Sequence, residues 1–204
     1  MPENTNFSSP LQSPTDSEVH YLLNNSIGLG VSYAFSQSKA KGDFLLSGYL
    51  NMNIPGYINQ HLEEKMYMQF IGPSILFQQF IGTGRKIKIS ETLSPGMMLF
   101  RDESRSQQYT YWYGNNDYYE GIPPQYFEYA NSVLTGKTIG GKASLSVEYC
   151  FTPRFSAGLA GNFTWAELRK ASFKSMYDEV EDQKLADRID LSRIDYGISI
   201  RYNF

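Results

Sequence analysis

The chain has 204 residues with one Cys, a formal net charge of −3 and only 19% charged residues, against 15% aromatic. One Cys excludes an internal disulfide framework and a Cys-rich metal site, and the absence of a basic excess excludes an electrostatic footprint for nucleic acid. The longest unbroken apolar run is the four residues Met97 to Phe100, far short of the about 20 that a membrane-crossing helix needs.

Residues 1–16 are rich in Ser, Pro, Asn and Thr, and such a stretch predicts a flexible N-terminal arm. The domain proper is then 17–204. From Ser17 onward the dominant signal is alternation with period two, the mark of strands. Val19, Tyr21 and Leu23 are in phase, followed by an Asn24-Asn25 turn. Ser26 to Ser36 sets Ile27, Leu29, Val31, Tyr33 and Phe35 against Ser26, Gly28, Gly30, Ser32 and Ala34. Gln37 to Lys65 is polar and reads as a long loop, with Asp43 to Asn53 as an extended hairpin inside it. Met66 to Ile81 is a blemished strand. Tyr67, Ile71, Ile75 and Phe77 align, whereas Phe70, Leu76 and Phe80 fall in the other phase, and Pro73 removes one ladder donor.

After the tight turn Gly82 to Arg85, Lys86 to Phe100 places Ile87, Ile89, Leu93, Met97 and Leu99 on one face, together with Glu91 and Pro95. Arg101 to Val133 reads as a second long loop. Ile139 to Phe151 alternates Ile139, Ala143, Leu145, Val147, Tyr149 and Phe151 with Thr138, Gly140, Lys142, Ser144, Ser146, Glu148 and Cys150. Thr152 to Arg154 is a tight turn, Phe155 to Trp165 repeats the alternation, and Glu167 to Ser192 is a third long polar loop. The last run is the clearest: Ile194, Tyr196, Ile198, Ile200, Tyr202 and Phe204 share one face, opposite Arg193, Asp195, Gly197, Ser199, Arg201 and Asn203. Short and long connections alternate, as in an up-and-down antiparallel meander.

Each strand has one bulky apolar face and one Gly, Ser and Ala face with scattered charges. The bulky face would overfill a narrow barrel, whose interior has room only for side chains or one small ligand. The small face carries too few charges for a solvated surface. The assignment that fits is bulky residues outward and small or charged residues inward, the pattern of a transmembrane β-barrel. A closed sheet also meets the demand that every backbone polar group in a bilayer be paired. On this assignment Lys86, Lys88, Lys142, Glu148, Arg193, Asp195 and Arg201 point into the lumen. Buried ions need partners, so a mutually paired network is expected around Lys142, Glu148, Asp195 and Arg201.

Phe70-Ile71-Gly72-Pro73-Ser74, Phe100-Arg101-Asp102, Ser192-Arg193-Ile194-Asp195 and the terminal Ile198-Ser199-Ile200-Arg201-Tyr202-Asn203-Phe204 carry a resemblance over residues 18–204. The chain resembles the small outer-membrane β-barrel proteins of Gram-negative bacteria, in particular a Bacteroidetes type. The resemblance implies an outer-membrane location, contact with outer-membrane lipids and lipopolysaccharide, and recognition by the barrel assembly machinery through Tyr202 and Phe204. Two departures stand out. No signal peptide is visible, and seven strands can be counted where bacterial barrels are even-numbered from about eight upward. The expectation is an eight-strand type whose N-terminal part is missing.

Chemistry-bearing residues are few. His20 and His61 are the only histidines and are not expected to meet. An outer-membrane lipid-modifying enzyme would need one of them beside a Ser and a carboxylate at a barrel rim. Cys150, in the lumen phase, is expected to be inert and buried. The stretch Tyr109 to Tyr129 holds nine aromatics, of which Tyr111, Trp112, Tyr113, Tyr118 and Tyr119 are candidates for contact with a glycan or protein. The other reading is that they pack on one another or sit in the headgroup layer. Asp178, Glu179, Glu181 and Asp182 offer hard oxygens for Ca²⁺ or Mg²⁺ or a solvated loop. No metal or cofactor is assigned. The expectation is a non-enzymatic outer-membrane barrel with a filled, not widely conducting, lumen and a structural or surface-interaction role through long loops. The alternative is a soluble lipocalin-like barrel around an apolar ligand. The two differ in which way Tyr196, Ile198, Ile200, Leu145 and Val147 point.

Overall fold

The computed structural model of the chain describes residues 3–8, 15–50, 54–82, 84–112, 125–175 and 179–202, with side chains described for 15–41, 61–82, 84–106, 131–175 and 179–202. All regular structure among these residues is β. The strands are β1 (Glu3–Ser8), β2 (Thr15–Leu22), β3 (Ile27–Leu50), β4 (Ile54–Ile81), β5 (Ile87–Trp112), β6 (Gln125–Cys150), β7 (Phe155–Lys174), β8 (Glu179–Asp190) and β9 (Arg193–Tyr202). They form one antiparallel up-and-down sheet. β2 pairs with the lower part of β3 and β1 with its upper part. β9 and β8 divide β7 in the same way. The nine segments therefore occupy seven positions across the sheet.

The tight turns lie together at one end. Asn24 Oδ1 accepts hydrogen bonds from the backbone N–H of Ser26 and Ile27, each at 2.8 Å. Thr152 Oγ1 does the same for Phe155 N–H at 3.0 Å. These short polar side chains satisfy turn donors that no ladder reaches.

At the other end the structure departs from the sequence reading. The three polar stretches expected as loops are largely strand. Gln37 onward continues β3, in unbroken register with β4 from Ile27↔Phe77 to Leu50↔Ile54. β5 and β6 extend to Trp112 and from Gln125, and β7 is prolonged to Lys174 against β8. A ladder needs only backbone groups, and a stretch of polar residues carries no apolar alternation to announce it. The arm expected at 1–16 likewise contributes β1, and its last two residues begin β2.

The sheet curls on itself. The Asn162 amide on β7 donates to Asp16 on β2, and five strand spacings would separate these strands by about 24 Å in a flat sheet. The bulky face is on the outside. Leu145 and Val147 are 51% and 48% exposed, and Tyr196, Ile198 and Ile200 are 89%, 79% and 70% exposed. Ser32, Ser74, Ser90, Ser94, Ser146 and Ser156 are buried inside.

The blemishes in the alternation have physical causes. Phe70, Met98, Phe100, Ala34, Ala166, Leu168, Ala171 and Leu191 form a buried apolar cluster in the upper interior. At that level both faces of a strand are apolar. This is why Met97 to Phe100 is an unbroken run and why Phe70 falls out of phase. The β4–β5 ladder breaks between Ile71↔Met97 and Ile75↔Leu93, where Pro73 and Pro95 both lack a donor. Gly72 lets the strands close there, since a Cβ on it would lie 2.1 Å from the Pro95 carbonyl oxygen. Gly141 serves a different purpose. It is the ladder partner of Trp165, and a Cβ on it would lie 2.1 Å from the indole ring, which covers the glycine as in aromatic rescue. Gly141→Val is expected to push the indole off the sheet and cost about 1 kcal/mol. In a Trp112→Phe background this is read as a change in Trp165 emission and a lower urea midpoint.

Candidate functional site

The site with the most chemistry is the lower interior. Four cations (Lys88, Lys142, Arg193, Arg201) and four carboxylates (Asp16, Glu18, Glu148, Asp195) face one another there. Strand alternation delivers each of them, since every one is in the phase opposite to the bulky residues.

Glu148 on β6 is the centre of one cluster. It pairs with Lys88 on β5 at 2.7 Å and with Arg201 on β9 at 3.4 Å. It also accepts from Ser156 at 2.6 Å, Ser199 at 2.8 Å and Ser146 at 3.1 Å. Lys88 donates to Ser156 at 2.9 Å and Arg201 to Ser90 at 3.1 Å. Lys142 on β6 is the centre of the second. Its ammonium meets Glu18 at 3.2 Å and Asp16 at 3.3 Å, both on β2, and donates to Ser32 at 3.3 Å. Glu18 further accepts from Thr92 at 3.0 Å and Ser144 at 3.1 Å. Asp195 pairs with its strand neighbour Arg193 at 2.8 Å.

The four residues expected to form one network are thus divided. Glu148 and Arg201 are together. Lys142 turns instead to β2, and Asp195 to Arg193. The sequence reading missed Asp16 and Glu18. A signal for Glu18 was present, since it lies in the opposite phase to Val19 and Tyr21, but Asp16 was assigned to the arm. Asp16, Glu18, Lys142, Asp195 and Arg201 line a cavity of about 220 Å³.

His20 and Ser74 share a hydrogen bond of 2.9 Å between Nε2 and Oγ, a contact the sequence reading did not expect. Ser74 is buried, and the oxygens of nearby Glu18 are engaged by Lys142, Ser144 and Thr92. His61 lies well above Ser74 on the same strand. Cys150 is half-buried and free. Tyr202 is exposed at the turn end of β9. Phe204 lies outside the described residues, as do Tyr113, Tyr118, Tyr119 and Asp178. Tyr111 and Trp112 end β5, their side chains being outside the described set. Glu179, Glu181 and Asp182 fall on β8.

One titrating group sits above the apolar exterior. Asp102 on β5 is flanked by the exposed pair Arg101–Glu103, at 2.7 Å. Burial, with Glu64 beside it as a second cause, pushes its carboxyl up to about 6. A carboxyl with a raised folded-state pKa binds its proton more tightly when folded. Its contribution to stability is therefore full below the unfolded value near 4 and is lost as pH rises through about 6. Asp102→Asn is expected to be nearly neutral at pH 4 and to raise stability at pH 8 by about 1 kcal/mol, solvent screening reducing the full linkage value. Urea unfolding at the two pH values checks this.

Comparisons with family models, curated proteins and solved structures find no match to this chain.

Proposed function

We propose that the chain is an outer-membrane β-barrel protein whose outer face meets hydrocarbon and whose tall strand extensions make contacts beyond the bilayer. The observation that carries this reading is the pairing of two faces. The outward residues are bulky, apolar and exposed, while four cations are matched by four carboxylates inside. In water the first would be an aggregation hazard. In a bilayer it is what a spanning strand presents.

The dimensions agree. On β5 the outward series runs from Ile87 to Leu99 before Arg101 and Glu103 end it. Tilted at about 45°, that length spans about 28 Å, close to the apolar band of such barrels. Glu91 interrupts the series two residues below its midpoint at Leu93, and a carboxylate on the lipid face costs less than a Lys or Arg there would. The partners on this reading are membrane lipids, lipopolysaccharide and the barrel assembly machinery, the last through the terminal strand with Tyr202 and Phe204. The role is structural or one of surface contact, not catalytic, because the buried Ser74 is not offered to a substrate and Glu18 is committed to other donors.

Heat-modifiable migration after refolding in detergent tests it. Unboiled protein is expected to migrate differently from boiled protein, with β-rich circular dichroism only in detergent or lipid. A chain that folds and stays monomeric in detergent-free buffer would contradict the reading.

A further inference from the structure

The outer apolar face has a rim, and on β6, β7 and β8 that rim is cationic. The bulky outward series ends at Ile139 on β6 and at Trp165 on β7, which are 85% and 42% exposed. Above them Lys137, Arg169 and Lys170, with Glu167 between, line an open groove of about 420 Å³ that has Ile139 in its wall. A second groove shares Glu167 and Arg169 and adds Lys184, Asp187 and Arg188 of β8. The ladders explain why the surface opens there. β6 and β7 lose register between Thr135 and Gly140. Between Leu168↔Ile189 and Lys170↔Lys184, residues 185–188 of β8 stand against Arg169 alone.

Charge decides what these grooves take. Five cations and two carboxylates line them, in a chain whose net charge is −3. Glu167 is committed to Arg169 at 2.8 Å and to Arg188 at 3.2 Å. Lys170 and Lys184 are exposed and directly opposite each other on β7 and β8, and like charges so placed repel. Neither of them, nor Lys137, has an ion pair among the described residues. The opposed lysines Lys39 and Lys65 differ, since Lys65 has Glu103 as its ladder partner and shares a groove with Glu63. An anion beside Lys170 and Lys184 relieves their repulsion.

We infer that this rim is a binding site for the phosphate of an anionic membrane lipid, whose acyl chains lie down the outer face past Ile139 and Trp165. A phosphate offers several acceptor oxygens to ammonium and guanidinium donors at once. The apolar face directly below takes the chains, which a soluble phosphate would leave unused. The inference rests on the membrane reading and adds to it a headgroup chemistry and a place.

The test uses the full chain with Trp112→Phe, which leaves Trp165 as the one tryptophan. It is refolded into phosphatidylcholine vesicles holding a minor fraction of lipid brominated at mid-chain, either phosphatidic acid or phosphatidylcholine. Trp165 lies four residues below Arg169, about 13 Å along a strand, at the depth of the bromines. Brominated phosphatidic acid is expected to quench Trp165 with a preference of about fivefold over brominated phosphatidylcholine, the effect of one cation near an anionic surface. Lys170→Gln with Lys184→Gln should abolish the preference. Lys39→Gln with Lys65→Gln, which removes the same charge from another opposed pair, should leave it. Equal quenching by the two lipids in the parent overturns the inference and leaves the membrane reading standing, whereas no quenching by either overturns both. Equal loss in the two double variants means a general surface-charge effect and overturns the site. So does loss of the preference in inorganic phosphate but not in chloride of the same ionic strength, which assigns the grooves to soluble phosphate.

Discussion

Replacing Glu148 with alanine is expected to destabilise the refolded protein by about 3–5 kcal/mol, the range for removing one partner of a buried ion pair. The reason is what remains. Lys88 is 1% exposed and, among the described residues, its ammonium would be left with Ser156. Arg201 would keep Ser90 among them. Three serine hydroxyls would lose their acceptor at once, and each unsatisfied buried group adds to the cost. The measurement is urea unfolding in detergent followed by tryptophan fluorescence. A Lys88→Met, Glu148→Gln double variant should recover part of the loss, because it removes the fully buried ammonium and leaves only the less buried Arg201 without its carboxylate. If the single variant costs under about 1 kcal/mol, water reaches this cluster and the packed interior described here is wrong.

Lys142→Met is expected to have an effect of similar size, about 3–5 kcal/mol, but with a different structural consequence. Lys142 is the only cation in contact with Asp16 and Glu18 among the described residues, and those two residues hold β2 to the interior. Without it, two carboxylates face each other and β2 has its ladder to β3 as its main anchor. The variant should therefore lose exchange protection in β2 before β4 to β6 open. Adding Glu18→Gln should restore part of the protection by removing one of the two charges. Equal and simultaneous loss across all strands would mean that β2 is not separately held by this lysine.

What could be read from the sequence followed from where water or packing imposes a period. β9 and the lower half of β6 alternate because their two faces meet different surroundings, and every outward residue of β9 is bulky. The upper half of β3 and its partner in β4 have no such contrast. Ser38, Lys39, Ala40 and Lys41 pair with Met66, Lys65, Glu64 and Glu63, and a ladder of that composition is indistinguishable from a polar loop. Phe70 and Phe100 misled for the opposite reason, since the upper interior is apolar. The ion clusters were legible as inward charges. Their partners were not, because alternation fixes which side a residue faces and not how far around the curl it reaches. Lys142 finding Glu18, at a separation of 124 residues, depends on the curvature of the whole sheet. The His20–Ser74 contact depends on it in the same way.

The account stands on the outward face meeting hydrocarbon, and spin-label accessibility tests that most directly. In a Cys150→Ser background, single cysteines at Leu145, Val147, Leu159 and Ile198, with Arg101 as the reference above the band, are labelled and the protein is refolded into phosphatidylcholine vesicles. The four belt positions are expected to collide freely with dissolved oxygen and hardly at all with a water-soluble nickel chelate, and Arg101 to show the reverse. Nickel collision at the belt positions equal to that at Arg101 would place the bulky face in water and contradict the account.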